Sequence, residues 1–242
     1  MSLTITPLEG FPEVASGMDL AELVARSHVL EDGDVVVLAH KVVSKAEGRV
    51  VRLDEIEPSD RARELAGSAA DARQVEVVLG ESVRIVRARA PLVISETRHG
   101  FVCASAGVDA SNAPEAGTLV LLPHDPDASA RDLRERIREL TGRTVAVIVS
   151  DSFGRAWRQG TTDVAIGVAG LAPLRDLRGM RDAVGYELRS TQIAVADELA
   201  GAAELVMGKT SGRPGAVIRG FVPEGDGSAR DLVMPAARDL FR

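Results

Sequence analysis

The sequence predicts a globular protein that mixes β-strands and α-helices around an aliphatic core. Apolar runs rich in β-branched residues at 35–39 and 145–149 have the composition of buried strands. Apolar residues follow helical spacing at 20–27 and at 126–142. Hydrophobic residues make up 45% of the chain but aromatic residues only 3%, so Val, Leu, Ile and Ala must fill the core.

The remaining elements follow from the same patterns. Further strands are expected at 3–7, 48–53, 83–89, 92–95, 101–105, 118–122, 164–168 and 216–220. We expect the segment 48–53 to form a hairpin with the strand that precedes it. Further helices are expected at 58–80 and at 191–207, where alanine is frequent.

Composition argues against several classes of protein. The length of 242 residues fits one large domain or two small ones. A net charge of −7 argues against nonspecific binding of nucleic acid. The single cysteine, Cys103, excludes an internal disulfide framework and fits a reducing compartment. The first residues lack the pattern of a signal peptide, and no apolar run is long enough for a membrane span. We therefore expect a cytoplasmic protein.

The stretch 144–163 carries the strongest indication of chemistry. Its buried strand is expected to stop at Ser150, Asp151 and Ser152, and a loop rich in glycine and arginine follows. A carboxylate at the end of a buried strand is a common place for a functional group in proteins that combine helices and strands. The alternative is that Asp151 only caps the strand and that the basic loop is solvated. Trp157 in this loop could stack on a ring, or pack in the core or an interface.

Two lysines follow the strand 35–39. Lys41 and Lys45 bracket two valines, and alternation would place both lysines on one side if the strand continued. Lysine is also common on the surface at a sheet edge. On these residues alone, we favour surface lysines.

A second acidic turn follows the strand 101–105. Asp109 and Asn112 could reach one ligand from this turn. The alternative is an Asx turn, in which the side chains bond their own backbone.

Asp109 and Asp151 together indicate a hard cation. Two carboxylates about 4 Å apart repel by roughly 4 kcal/mol at an effective dielectric constant near 20, so such a pair needs a proton or a cation. Oxygen ligands without a Cys or His cluster favour Mg²⁺ or Mn²⁺, which often share phosphate oxygens with a nucleotide. The residues therefore indicate metal-dependent phosphoryl chemistry on a nucleotide, with no acceptor specified.

The segment Gly208-Lys209-Thr210 imitates the end of a P-loop. The glycine that this motif requires five residues earlier is Ala203, and the preceding stretch is expected to be helical. We therefore reject a P-loop, although Lys209 could contact phosphate in another geometry.

Six segments together resemble the family of coenzyme F420-0:L-glutamate ligases, also called F420:γ-glutamyl ligases. The resemblance runs from Thr4 to about Arg219. It is carried by PLEGFPEV at 7–14, DGDVVVLAHKVVSKAEGR at 32–49, TRHGFVCASAGVDASN at 97–112, LLPHDPDASA at 121–130, VSDSFGRAWRQGTTDVAIG at 149–167 and ADELAGAAELVMGK at 196–209.

The resemblance implies an α+β fold, a two-lobed mixed sheet-and-helix ligase unit spanning residues 1–242, which forms an intertwined homodimer. It implies the single-domain form, without the nitroreductase-like C-terminal domain found in longer relatives. The implied reaction uses GTP to phosphorylate the terminal carboxylate of the deazaflavin coenzyme F420-0, or a close precursor. L-Glutamate then displaces the phosphate, and later rounds add glutamates through γ-linkages.

The resemblance also implies roles for individual residues. Asp109 and Asp151 would be catalytic residues that bind one divalent ion, Mg²⁺ or Mn²⁺, and Ser152 would bind a second. A monovalent cation such as K⁺ is a further implied ion. The implied GTP contacts are Phe11, Pro12, Glu13, Val14, His40, Lys45, Asn112 and Lys209. The family often has serine at the position of His40. Independently of the resemblance, the positive charges of Arg155 and Arg158 could bind the anionic tail of the deazaflavin or glutamate.

Other functions would use the same acidic residues. A metal-dependent nucleotide phosphohydrolase needs no amine acceptor. A regulatory module would bind the nucleotide without chemistry. A related carboxylate-amine ligase would use another acceptor.

Overall fold

The computed structural model describes residues 2–240, which form a mixed α+β structure with several sheets. The strands are β1 (Thr4–Pro7), β2 (Val35–Ala39), β3 (Val50–Arg52), β4 (Ser82–Arg89), β5 (Leu92–Thr97), β6 (Val102–Ala104), β7 (Thr118–Val120), β8 (Ala146–Arg155), β9 (Arg158–Ala169), β10 (Arg175–Asp176), β11 (Gln192–Ile193) and β12 (Gly215–Arg219). The α-helices are α1 (Leu20–Ser27), α2 (His40–Ala46), α3 (Asp60–Ala66), α4 (Ala72–Gly80), α5 (Pro126–Thr141) and α6 (Val195–Met207).

The main sheet has the order β1-β12-β2-β8-β9 within residues 2–240. Strands β2 and β8 are parallel, and the other neighbouring pairs are antiparallel. Ala39 at the end of β2 is the register partner of Ser150 in β8. The carboxyl ends of β2 and of the buried part of β8 therefore meet at one edge of the sheet.

Both faces of the main sheet are buried, which explains why β2 and the first part of β8 are continuously apolar. One face carries residues such as Val36, Leu38 and Val147 and packs against α1 and α5. The other face carries residues such as Val35 and Ile148 and packs against α6. The alanines of α6 allow this helix to approach the sheet closely.

A second group of elements lies between β2 and β8 in sequence. Strands β3 and β7 form an antiparallel pair, and β4, β5 and β6 form a separate antiparallel sheet. A separate apolar cluster joins them to α4, with Val77, Val93 and Leu119 among its buried residues.

Several predicted elements are confirmed, and four expectations are wrong. The strand 35–39 and the helix 20–27 have the predicted bounds. The segment 48–53 contains β3, which pairs with β7 instead of the preceding strand. The segment 58–80 forms two helices, because Ser59 and Asp71 each cap a new helix start. The chain enters α2 at His40, so the strand ends at Ala39 as predicted. The helix expected at 191–207 begins only at Val195, because Gln192 and Ile193 form β11.

The fourth error concerns the end of β8, which continues through Ser150, Asp151 and Ser152 to Arg155. The antiparallel ladder with β9 satisfies the backbone there, and register partners continue as far as Arg155 and Arg158. The polar side chains of this part of β8 face a cavity or polar partners, so the strand does not need an apolar environment.

No helix within residues 2–240 is long and apolar enough to cross a membrane.

Candidate active site

A cavity of 380 Å³ opens at the edge of the main sheet where Ala39 and Ser150 lie side by side. This volume falls in the range of roughly 300–1,000 Å³ that is typical of small-molecule sites. The carboxyl ends of parallel strands are the usual place for such a site. Segments before α1, at the start of α2 and after α6 complete the wall.

The cavity brings together most of the residues that the resemblance implies. All eight residues implied to contact the nucleotide line it: Phe11, Pro12, Glu13, Val14, His40, Lys45, Asn112 and Lys209. Asp151 and Ser152 line it as well. Within the described chain, Asp109 is not a wall residue, but it is bonded to Lys41, which is one.

Adjacent residues at the start of α2 contact the two aspartates. His40 Nε2 lies 3.3 Å from Asp151 Oδ1, and Lys41 Nζ lies 2.5 Å from Asp109 Oδ2. The carboxylates of two distant segments therefore converge on two consecutive residues.

Asp109 is held by Lys41 and Ser111. The backbone nitrogen of Ser111 donates to Oδ1 over 2.7 Å, and its hydroxyl donates to Oδ2 over 2.8 Å. Burial raises the pKa of Asp109, but the hydrogen bonds from Lys41 and Ser111 outweigh it, so the pKa lies below its usual value. Asp109 is therefore ionised at neutral pH. The Asx turn is present, and the same carboxylate also makes a long-range ion pair.

The backbone that leads to Asp109 is unusual. Ser105, Ala106 and Gly107 have φ values of 51°, 52° and 72°, in the left-handed region. A Cβ atom on Gly107 would lie 2.6 Å from Leu122 Cγ, so the loop and the segment after β7 approach this closely because residue 107 is glycine.

The serines beside Asp151 belong to the opposite face of β8, as alternation requires. Ser150 and Ser152 donate hydrogen bonds to the buried carboxylate of Asp163 in β9, over 2.9 and 2.5 Å. Lys209 Nζ donates to the hydroxyl oxygen of Ser152. This wall of the cavity is therefore a network of hydroxyl, carboxylate and ammonium groups.

The interpretation of the two lysines as surface residues is wrong. Lys41 and Lys45 are only 9% and 7% exposed. Lys45 Nζ lies 2.5 Å from Oε1 of Glu13, another wall residue. Because the chain forms α2 here, residues four apart share one side of a helix.

Sequence reasoning did not identify Lys41 and Asp163 as site residues. The basic residues directly after a buried strand were a usable signal for Lys41. No local pattern distinguishes Asp163 from a solvated acid, because its burial depends on Ser150 and Ser152 of another strand.

The arginines of the β8–β9 hairpin lie away from the cavity wall. Within the described residues, Arg155 and Arg158 are exposed and are not wall residues. Trp157 is 80% exposed, so its interpretation as a core residue is wrong.

The chain's cysteine does not supply a nucleophile to this site. Burial, and the charge of Asp151, raise the pKa of the Cys103 thiol to about 12. The thiol is therefore protonated at neutral pH, and the reactive thiolate is scarce.

Comparison with known families defines the class of the protein. The model of the family F420-0:Gamma-glutamyl ligase matches residues 10–220, and the chain belongs to this family. The matched range includes every residue that the resemblance assigns to the site.

Individual relatives cover the whole chain. The chain is 50% identical to the coenzyme F420:L-glutamate ligase of Methanopyrus kandleri, over 100% of this chain and 98% of the relative. It is 46% identical to the protein of the same name from Methanothermobacter thermautotrophicus, over 100% of both chains. It is 43% identical to that of Archaeoglobus fulgidus, over 100% of this chain and 97% of the relative.

Proposed function

We propose that this protein is a GTP-dependent ligase that adds L-glutamate to coenzyme F420-0 in the biosynthesis of coenzyme F420. The observation that carries the proposal is the assembly, in one cavity, of Asp151 and Ser152 with the implied nucleotide contacts at 11–14, Lys45, Asn112 and Lys209. Family membership and relatives named coenzyme F420:L-glutamate ligase support the reaction class.

The proposed reaction has two steps. The γ-phosphoryl group of GTP passes to a carboxylate oxygen of F420-0, which releases GDP and forms an acyl phosphate. The amine of L-glutamate attacks the acyl carbon, an amide bond forms, and inorganic phosphate and a proton are released. Later rounds use the γ-carboxylate of the glutamate added last.

Cationic side chains in the wall suit a bound triphosphate. Lys45, Lys209 and Arg213 all line the cavity. Positive groups already fixed in place stabilise the charge of a transferring phosphoryl group. The pairing of Lys45 with exposed Glu13 allows this lysine to exchange a weak partner for phosphate.

Carboxylate and hydroxyl oxygens are the ligand type that a hard divalent cation takes, and Asp109 would exchange its bonds to Lys41 and Ser111 for the ion. Among residues 2–240, no group of three His, Cys, Asp or Glu side chains is arranged to hold a metal alone. This suits Mg²⁺, which commonly uses one or two carboxylates and completes its shell with substrate phosphates and water. We propose that Asp109 and Asp151 hold one Mg²⁺ or Mn²⁺ ion and Ser152 a second, with K⁺ as a further ion. When bound, the divalent ions would neutralise phosphate charge.

The test is incubation of the protein with GTP, Mn²⁺, L-glutamate and F420-0, with products read by mass spectrometry. We expect F420 carrying one or more glutamates, and GDP release that requires both acceptor and glutamate. GDP release without them would favour the nucleotide phosphohydrolase, and amide formation with another carboxylate would favour the related ligase.

Two further measurements test parts of the proposal. Asp151→Asn should abolish product formation, whereas a variant that loses the metal with all function intact would favour a regulatory module without chemistry. We also propose a homodimer, which light scattering should detect as twice the mass of one chain. Exposed apolar side chains on β4 and β5, such as Val83 and Leu92, support such an interface.

A further inference from the structure

His40 is a buried side chain with an unsatisfied nitrogen. It is 2% exposed, and its Nε2 atom lies 3.3 Å from Asp151 Oδ1. The relative orientation does not make a hydrogen bond, and Nε2 has no other hydrogen-bond partner among residues 2–240. Unsatisfied buried polar atoms are rare because they are costly, so this one requires an explanation.

The other ring nitrogen indicates where the hydrogen lies. Nδ1 of His40 is 3.3 Å from the hydroxyl of Ser44, which is fully buried one helical turn later. If Ser44 donates to Nδ1, the ring carries its hydrogen on Nε2 and directs it at Asp151. The opposite tautomer would place a nitrogen lone pair against a carboxylate oxygen.

The backbone fixes this arrangement. Ala39 and Ser150 are register partners in the parallel pair of β2 and β8. The next residues in each segment, His40 and Asp151, are therefore neighbours whether or not a ligand is present. Asp151 Oδ1 also accepts a hydrogen bond from the backbone nitrogen of Ser152 over 2.7 Å. Oδ1 therefore faces two nitrogens, the bonded nitrogen of Ser152 and His40 Nε2 at 3.3 Å, while Oδ2 is available.

We infer that His40 is a positioning residue for Asp151, with Ser44 orienting its ring. An Nε2–H group directed at Oδ1 from 3.3 Å attracts the carboxylate and favours the rotamer in which the other oxygen faces a hard divalent cation. Polar groups around metal-binding carboxylates commonly orient them in this way. The inference rests on the proposed role of Asp151 as a metal ligand. It assigns His40 an action through Asp151 in place of the direct nucleotide contact that the resemblance implies.

The experiment separates metal binding from nucleotide binding without measuring activity. GDP affinity is measured by calorimetry, first in EDTA and then over a series of Mn²⁺ concentrations. In wild type, we expect Mn²⁺ to strengthen GDP binding, because the two ligands share one site. In His40→Leu, we expect unchanged GDP affinity in EDTA. The Mn²⁺ concentration for half-maximal strengthening should rise about 10–100-fold.

Two variants keep the test independent of folding defects. His40→Gln places an amide donor near the position of Nε2 and should restore a Mn²⁺ requirement close to wild type. Ser44→Ala keeps the ring but removes its orienting hydroxyl, and should raise the Mn²⁺ requirement less than His40→Leu does. Thermal melting establishes that each variant is folded. If His40→Leu does not fold, a wild-type Mn²⁺ requirement in Ser44→Ala overturns the inference.

The remaining outcomes show which of the two proposals fails, the metal site at Asp151 or the positioning role of His40. If wild type shows no Mn²⁺ effect, or if Asp151→Asn retains it, Asp151 is not a metal ligand and the proposed function loses its metal site. If Asp151→Asn loses the effect but folded His40→Leu behaves as wild type, only the inference about His40 fails. Weaker GDP binding by His40→Leu in EDTA would identify a direct nucleotide contact and overturn the inference.

Discussion

Asn112 donates its side-chain amide to the backbone carbonyl of Lys209 over 3.2 Å, and this bond joins the Asp109 loop to the segment after α6. Both residues line the cavity. Asn112 has a φ of 54°, in the left-handed region that asparagine tolerates better than most residues. The bond therefore closes the cavity wall between two segments that are distant in sequence.

Asn112→Gly should weaken nucleotide binding with little loss of stability. Glycine tolerates the backbone conformation but removes the amide, so the two wall segments lose their connection. The bond is exposed, and we expect the free energy of unfolding to fall by about 1 kcal/mol or less. Calorimetry with GDP measures the first effect and urea denaturation the second. GDP affinity equal to wild type would contradict this role.

Lys41→Met should lower stability in a pH-dependent manner. Loss of the ion pair with half-exposed Asp109 should cost about 1 kcal/mol at neutral pH, after allowance for solvent screening. Because the folded protein lowers the pKa of Asp109, this stabilisation is present above its usual pKa of 3.8 and is lost as the pH falls through the lower, folded value.

Urea denaturation at pH 7 and at decreasing pH tests this expectation. The difference between wild type and Lys41→Met should shrink below about pH 4. Lys45→Met is the matched control, because its partner Glu13 is largely exposed and the pair should contribute less. A difference for Lys41→Met that does not change with pH would argue against the pair with Asp109.

Gly107→Ala should destabilise the protein more than Gly117→Ala. Both glycines have positive φ values, 72° and 80°, so both substitutions carry a backbone cost. Only at Gly107 would the new methyl group clash with Leu122, whereas the space around Gly117 is open. We expect the clash to add about 1–3 kcal/mol, measured by urea denaturation. Equal effects of the two substitutions would mean that the side chain of Leu122 moves aside without cost.

Cys103 should resist thiol reagents while the protein is folded. With its pKa raised to about 12, the thiol forms little thiolate at pH 8, and its side chain is buried. An alkylating reagent followed by mass spectrometry should show slow labelling in buffer and rapid labelling in denaturant. Asp151→Asn should modestly accelerate labelling of the folded protein, because it removes a negative charge that raises the thiol pKa. Rapid labelling of folded wild type would contradict a buried, protonated thiol.

Local patterns were sufficient where one segment determines its own structure. The strand 35–39 was predictable because a run of apolar β-branched residues must be buried on both faces. The helix at 20–27 was predictable from its apolar spacing, and in the structure Asp19 caps its start.

Local patterns failed where a partner from another segment decides the outcome. Strand β8 continues past Ser150 because β9 supplies hydrogen bonds and Asp163 supplies partners for the serines. Lys41 is buried because Asp109, far along the chain, neutralises it. Both cases depend on contacts that no sequence window contains.

The separation of residues 50–120 from the main sheet has a consequence for how the sequences of relatives can diverge. Within the described chain, this segment gives no strand to the five-stranded sheet, so it is an inserted segment between β2 and β8 of that sheet. Asp109 belongs to the inserted segment, and Asp151 belongs to the main sheet. Chimaeras that exchange only the inserted segment between relatives would therefore replace Asp109 and its loop, while keeping Asp151 and its strand neighbours in β2 and β9.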